Sequence, residues 1–228
     1  MTLLKYARTL FMSIPNIVII VLLLVLAIPV AAGMMMLRSM FMATRGRKIA
    51  AYPDPRKALV VLDIQEGYTG TAARQPVTRP PTGGMLFIVN SLIDKAAESG
   101  MEVAYIRQVF SNNLFVRLHG GRRQGRVIID RRIKVINDND FEKNRTDAFS
   151  SRQFEQFLID NQVNELYLVG VDAAYCVYYT ALGALNRGYK VTVITDAVLS
   201  RKKMETVIER YRRKGIAVIT SEELIIES

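Results

Sequence analysis

The sequence predicts an α/β protein: a doubly wound, mainly parallel sheet of five or six strands with helices on both faces, preceded by one transmembrane helix. Three observations lead there. From Lys57 onward, short apolar runs alternate strictly with amphipathic stretches, the order that βαβ units produce. The amphipathic stretches stop at glycines, at Gly100, Gly188 and Gly215, the residue that best ends a helix. Upstream there is no charged residue between Arg8 and Arg38, and 14–37 is almost wholly apolar.

Each element follows from its own pattern. Ala58-Leu59-Val60-Val61-Leu62 is a short apolar run suited to a strand buried on both faces. In 85–99 the apolar residues Leu86, Val89, Leu92, Ile93 and Ala96 keep helical spacing. Val103-Ala104-Tyr105-Ile106 is a second strand, and a further one is expected within 133–141. A helix over 151–161 precedes the strand Leu166-Tyr167-Leu168-Val169. A helix over 176–186 precedes Val191-Thr192-Val193-Ile194. Ser200 is placed to cap a basic helix that ends at Gly215, and 216–219 is the last strand. Right-handed crossovers turn this order into a helix–sheet–helix sandwich.

The apolar segment divides the chain into an N-terminal flank (1–12), a transmembrane helix (13–37), a basic linker (38–56) and an α/β domain (57–228). About 20 apolar residues are needed to cross a bilayer, and Pro15 and Pro29 are tolerable in such a helix. Two other readings compete. Lys5 and Arg8 followed by an apolar run and Val30-Ala31-Ala32 resemble a cleaved signal peptide, and a long apolar helix can also be buried core. Met34-Met35-Met36-Leu37 continues the apolar run past that cleavage site, which favours a retained anchor. Residues 1–48 hold Lys5, Arg8, Arg38, Arg45, Arg47 and Lys48 and no acid. Four of these six follow the helix, so the positive-inside rule predicts a single-pass protein with its α/β domain in the cytoplasm.

The formal charge of +10 therefore does not describe the domain. Outside those six cations, 25 basic residues face 21 acidic ones, a balance of +4 that does not point to nucleic acid. The juxtamembrane cations read instead as topology determinants and lipid-headgroup contacts. A single cysteine excludes an intramolecular disulfide, which leaves Cys176 to be explained by packing or by chemistry.

Ligands of doubly wound sheets collect beyond the carboxyl ends of the strands. Asp63 closes the first strand, Cys176 follows the turn after Val169, and Lys143 lies in a polar segment before a helix, so all three are expected on one rim. A free thiol titrates near 8.5, and a helix N-terminus with a neighbouring cation brings it lower. A carboxylate at Asp63 could take the thiol proton and later pass it to a leaving amine. Each residue also has a plain structural reading: inert core for the cysteine, a turn or cap for the aspartate, solvated surface for the lysine. Spacing alone does not decide between them.

A family resemblance does. Val61-Leu62-Asp63-Ile64-Gln65 resembles the opening strand of isochorismatase-like hydrolases of the nicotinamidase/isochorismatase superfamily, where the matching aspartate is the acid/base. Lys143-Asn144-Arg145-Thr146-Asp147-Ala148-Phe149 resembles their lysine segment. Gly170-Val171-Asp172-Ala173-Ala174-Tyr175-Cys176-Val177 resembles their nucleophile turn, with Thr180-Ala181, Ala184 and Gly188-Tyr189 following, and Thr195-Asp196-Ala197 fits the next strand end. The motifs occur in the family order from Ala58 to about Thr220.

The resemblance implies Asp63, Lys143 and Cys176 as a catalytic trio and a cis peptide at Val171–Asp172. It also implies an oxyanion hole from the backbone amides of Asp172 and Cys176. The acidic side chain of Asp172 departs from the small or apolar residues usual there and could alter substrate preference. Nicotinamidases of the family hold a metal through an aspartate and several histidines between the first two motifs. Here that region offers only His119, so no metal and no other cofactor is expected. Isochorismate-cleaving members do not need the cysteine, so its presence points to C–N hydrolysis through a thioester.

The remaining features concern specificity. Arg107 and Tyr175 are candidates for substrate binding: Arg107 ends the second strand and Tyr175 adjoins the nucleophile. The basic segment 117–134 (Arg117, Arg122, Arg123, Arg126, Arg131, Arg132, Lys134) reads as a solvated lid or lipid-facing surface, or as a source of an arginine for a substrate carboxylate. The expected partner is a small-molecule substrate, with a homo-oligomer left open. The other function compatible with the residues is a catalytically inactive ligand- or partner-binding domain at the membrane.

Overall fold

The computed structural model describes residues 14–70, 82–109 and 127–227. The N-terminal flank, His119, and Arg117, Arg122, Arg123 and Arg126 lie outside them. Contacts divide the chain into two units, 1–40 and 41–228.

The first unit is the helix α1 (Ile14–Met40), which extends three residues beyond the expected end and contains Pro29. Over Ile19–Met40 it is long and apolar enough to cross a membrane by length and composition, and large side chains such as Leu22 and Ile28 are exposed.

The second unit contains β1 (Arg56–Leu62), α2 (Gly83–Glu98), β2 (Glu102–Gln108), β3 (Asp140–Lys143), α3 (Arg152–Asp160), β4 (Val163–Val171), α4 (Tyr178–Arg187), β5 (Lys190–Leu199), α5 (Met204–Arg212), β6 (Ala217–Ile219) and α6 (Ser221–Glu227). The strands form one sheet in the order β3-β2-β1-β4-β5-β6, and every pairing is parallel. Strand alternation separates two cores. Ala58, Val60 and Leu62 of β1 join Leu166 and Leu168 of β4 on the face covered by Phe154 of α3, Ala181 of α4 and Tyr211 of α5. Leu59 and Val61 join Tyr167 and Val169 on the other face, covered by Leu86, Val89 and Ile93 of α2 and Leu224 of α6. Burial on both faces is why these strands read as continuous apolar runs.

Three details differ from the sequence expectations. The strand sought within 133–141 runs from Asp140 to Lys143 and ends on the predicted lysine. Ser200 caps no helix: its hydroxyl donates to Asp172 Oδ1 at 2.8 Å, and α5 starts only at Met204. The third concerns 38–56, expected to be a linker. Its first three residues belong to the end of α1, and 41–56 belongs to the domain unit. Ile49 N–H donates to Arg187 O at 2.9 Å, and Asn186 Nδ2 donates to Thr44 O at 2.9 Å. The segment folds onto the domain because buried polar groups there, described below, need its donors and acceptors.

Candidate active site

β1 ends at Leu62, and Asp63 then adopts a left-handed backbone with φ +55°. Such a conformation costs a non-glycine residue on the order of 1–2 kcal/mol, and Asp63 is held in it while its N–H donates to Ile106 O at 2.9 Å. Next to it, β4 approaches so closely that a Cβ on Gly170 would lie 2.0 Å from Leu62 O. Glycine is therefore required where the first strand hands its aspartate to the nucleophile turn.

Lys143, at the end of β3, is 1% exposed, and Asp63 is 2% exposed. Lys143 Nζ lies 2.9 Å from Asp63 Oδ2 and 3.3 Å from Cys176 Sγ. It also donates to Gln108 Oε1 at 2.7 Å, Arg145 O at 3.2 Å and Thr146 O at 3.3 Å. Three N–H bonds thus face five acceptors, and the ammonium is fixed between the carboxylate and the thiol. Asp63 Oδ1 is buried and has no hydrogen-bond partner among the described residues. The structure brings Asp63, Lys143 and Cys176 together.

Electrostatics correct one sequence expectation. Burial pulls the Lys143 ammonium down, but the Asp63 carboxylate, with hydrogen bonds to Asp63 and Cys176, outweighs it and its pKa is raised. The Cys176 thiol is pushed up to about 12, first by burial and then by the Asp63 carboxylate, with Lys143 only partly opposing. The thiol is not depressed as a helix start plus a lysine suggested. A carboxylate in the same pocket favours the neutral thiol.

Cys176 does not open an α-helix either. It lies in a single π-turn, Ala173–Val177, ahead of α4, and is half-buried. The Val171–Asp172 peptide is cis. The Asp172 side chain is occupied within the turn: Oδ1 accepts from Ala174 N–H and Ser200 Oγ, both at 2.8 Å, and Oδ2 accepts from Arg201 N–H at 3.3 Å. That carboxylate holds the turn together and is not offered to a substrate. From α5, Tyr211 Oη donates to Ala173 O at 2.5 Å and Arg210 Nη1 to Ala174 O at 3.1 Å.

Arg107 has other partners than a substrate. Its Nε donates to Asp140 Oδ1 at 2.8 Å and its Nη2 lies 3.2 Å from Glu142 Oε1. Strand alternation sets it apart from the trio. Ala104 and Ile106 face the core under the nucleophile turn, so Gln108 shares their side and Arg107 does not. Gln108 is the residue that sequence reasoning overlooked. Besides accepting from Lys143, it is fixed by Gln65, whose Oε1 accepts from Gln108 N–H at 2.8 Å. Tyr175 is half-buried beside Cys176, with Phe41 edge-on at 6.2 Å and Lys202 Nζ 5.5 Å from its ring centroid. Within the basic segment, Arg132 pairs with buried Asp130 at 2.6 Å and Lys134 pairs with Asp94, so both have structural partners. No cluster of His, Cys, Asp and Glu suited to a metal occurs among the described residues.

A six-stranded parallel sheet with these side chains gathered at the carboxyl ends of its strands is the fold of isochorismatase-like hydrolases. The solved hydrolase of that type from Alkaliphilus metalliredigens superposes with a TM-score of 0.66, at 19% identity, over 76% of this chain and 98% of that one. Residues 57–223 match the Isochorismatase domain, and the chain belongs to that family. The N-carbamoylsarcosine amidase of Thermoplasma acidophilum superposes with a TM-score of 0.61, at 25% identity, over 73% and 96% of the two chains. The nicotinamidase of Escherichia coli is 48% identical over 42 residues, 18% of this chain and 20% of that enzyme. Alignments to the curated relatives at the head of the comparison span about a quarter of their length.

Proposed function

We propose that the protein is a membrane-anchored cysteine hydrolase that cleaves an amide-type C–N bond of a small molecule. The observation that carries this is the position of Lys143 Nζ, 2.9 Å from Asp63 and 3.3 Å from the only thiol in the chain. Because burial and Asp63 keep that thiol protonated, deprotonation has to accompany attack. Cys176 Sγ bonds to the substrate carbonyl carbon while its proton moves to Asp63. The carbonyl oxygen becomes an oxyanion facing the backbone N–H groups of Asp172 and Cys176. Collapse breaks the C–N bond, and the amine leaves with the proton from Asp63. Water then attacks the thioester, giving up a proton to Asp63, which returns it to the departing sulfur. Lys143 keeps its charge throughout and holds the carboxylate and sulfur in register.

The anchor reading rests on the length and exposure of α1, and the basic residues after it favour a cytoplasmic domain. One experiment tests both parts. Membranes from cells making the full chain are extracted at alkaline pH and assayed against amides, ureas and N-carbamoyl compounds. Wild type should remain in the membrane and turn over at least one of them. Cys176→Ala should remain and fold, yet be inactive. Wild-type turnover by the alanine variant would sink the nucleophile, and release of the chain would sink the anchor.

A further inference from the structure

The lysine segment contains a second buried carboxylate that the chemistry above does not use. Asp147 is 0% exposed and lies four residues after Lys143. Its Oδ1 accepts from Phe149 N–H at 2.9 Å. Its Oδ2 accepts from two groups of one residue, the Thr44 N–H at 2.6 Å and the Thr44 hydroxyl at 2.7 Å. Thr44 lies outside the family match, which begins at residue 57. The side of the carboxylate that faces away from its own segment is thus satisfied by a part of the chain that precedes the hydrolase domain.

Thr44 is itself enclosed. Arg187, 3% exposed at the end of α4, donates from Nη1 to Thr44 Oγ1 at 3.0 Å and to Thr44 O at 3.3 Å. Its Nη2 donates to Arg45 O at 3.4 Å. The same guanidinium pairs with Glu155 at 2.6 Å and lies 4.5 Å from the centroid of the Phe149 ring. The fit leaves no room: a Cβ on Gly46 would fall 2.4 Å from Arg187 Nε, and one on Gly183 would fall 2.3 Å from Asp147 Oδ2. Thr44 Oγ1 therefore accepts from a buried cation and donates to a buried anion.

The path from this network to the reacting atoms is short. Lys143 Nζ is held in part by the carbonyls of Arg145 and Thr146, the two residues immediately before Asp147. Fixing the Asp147 carboxylate fixes the backbone that carries those carbonyls. We infer that Thr44 is a positioning residue of the active site, which holds Lys143 between Asp63 and Cys176 by clamping the carboxylate of Asp147. The segment 41–49 is on this view a structural part of the hydrolase, supplied by the stretch that follows the apolar helix. Burial pushes the Asp147 carboxyl up to about 6, and the two Thr44 donors, with Phe149 and Arg187, oppose that rise. Loss of the Thr44 hydroxyl would leave a buried acceptor short of a donor and free the segment to shift.

The inference rests on the proposed role of Lys143; the alkylation arm of its test needs no substrate, and the kinetic arm uses whichever amide, urea or N-carbamoyl compound wild type turns over. The chain has one cysteine, so iodoacetamide reports Cys176 alone. Full-length wild type, Thr44→Val and Thr44→Ser are alkylated at a series of fixed pH values, and kcat and KM are measured in parallel. A displaced ammonium makes the thiolate rarer, so Thr44→Val should alkylate several-fold more slowly at each pH. Its kcat should fall about ten- to a hundredfold, as small misplacements of a catalytic group do, with KM unchanged. Thr44→Ser keeps the hydroxyl and should restore both. Thr44→Ala, at a half-buried position, serves if the valine variant folds poorly. Wild-type alkylation and kcat in a folded Thr44→Val or Thr44→Ala protein, even with a lower Tm, would overturn the positioning role. If Cys176→Ala retained turnover while Thr44→Val still slowed alkylation, the reaction assignment would fail and the clamp would stand.

Discussion

The nucleophile turn and the lysine segment place their side chains within 3.3 Å of each other, but they are held in opposite ways. The turn carrying Cys176 is held by several independent contacts from inside the domain. Asp172 ties Ala174 and Ser200, Arg210 takes the carbonyl of Ala174, and Tyr211 takes that of Ala173. The segment carrying Lys143 is paired with β2 and tied by Ala148 N–H to Thr180 Oγ1, but its buried carboxylate takes two of its three donors from Thr44, 103 residues away. Where several independent contacts hold one turn, losing one is tolerated. Where two of a buried carboxylate's three donors come from one residue, losing that residue leaves the charge under-satisfied.

The largest effect should come from the charge that joins the two regions. In Lys143→Met the thiol loses the cation that opposes burial and Asp63, so its pKa should rise by about one to three pH units. A rarer thiolate is partly offset by its greater intrinsic reactivity, which leaves alkylation of Cys176 slowed roughly four- to fortyfold at fixed pH. Turnover should fall on the order of a thousandfold. Removing one partner of a buried ion pair also costs about 3–5 kcal/mol of stability, so thermal unfolding must confirm that the variant is folded at the assay temperature. Alkylation at the wild-type rate would make Lys143 a structural residue and reduce the trio to a dyad.

The charge in the lysine segment also predicts a pH dependence that separates the two regions. The folded-state pKa of Asp147 is about 6, against an ordinary value of 3.8, because burial outweighs its donors. Below about pH 4 the group is protonated in both states. Between about pH 4 and 6 the native state keeps a proton that the unfolded chain has released. Stability contributed by this group is therefore present at low pH and lost as pH rises through 6, a change on the order of 3 kcal/mol. Urea unfolding of wild type and Asp147→Asn across pH 4–7 measures it. The difference between the two stabilities should drift with pH over that window and flatten above it. Parallel curves would show that Asp147 titrates normally and that its burial is better compensated than its hydrogen bonds indicate.

The same contrast governs what could be read from the sequence. The strands β1 and β4 were legible as short apolar runs bounded by glycine and polar residues, since burial on both faces leaves no other composition. The nucleophile turn was legible only through its resemblance to the family motif, and its π-turn over Ala173–Val177 stood where the sequence reading began an α-helix. The choice of Arg107 ignored strand alternation, which places Gln108 on the side of Ala104 and Ile106 and was available in the sequence. The acidic first turn of α6, Glu222 and Glu223 after Ser221, was an equally available helix signal. The cap assigned to Ser200 failed because the helix starts only at Met204, so the Ser200 hydroxyl, which donates to Asp172, accepts from Lys202 N–H ahead of it. The direction of the thiol pKa and the clamp on Asp147 were not legible at all. Both depend on which charges meet in a buried space, and no local pattern records that.

The smallest effect should come from the nucleophile turn itself, and it tests whether redundancy is real. Tyr211 is fully buried, stacks on Tyr178 at a centroid distance of 5.9 Å and donates to Ala173 O at 2.5 Å. Tyr211→Phe keeps the ring and its packing and removes only the hydroxyl. The carbonyl of Ala173 then loses that donor, so stability should fall by about 1–2 kcal/mol. The turn still has the Asp172 cap, its link to Ser200 and the Arg210 contact, so Cys176 should stay in place. Alkylation of Cys176 should match wild type, and kcat should drop by about twofold, well short of the loss expected from Thr44→Val. The comparison is made on the two variants side by side, with unfolding free energy plotted against log kcat. If redundancy holds, Tyr211→Phe moves along the stability axis and Thr44→Val along the rate axis. A tenfold or greater loss of kcat in Tyr211→Phe at unchanged KM would show that the turn depends on single contacts too, and the distinction between the two regions would collapse.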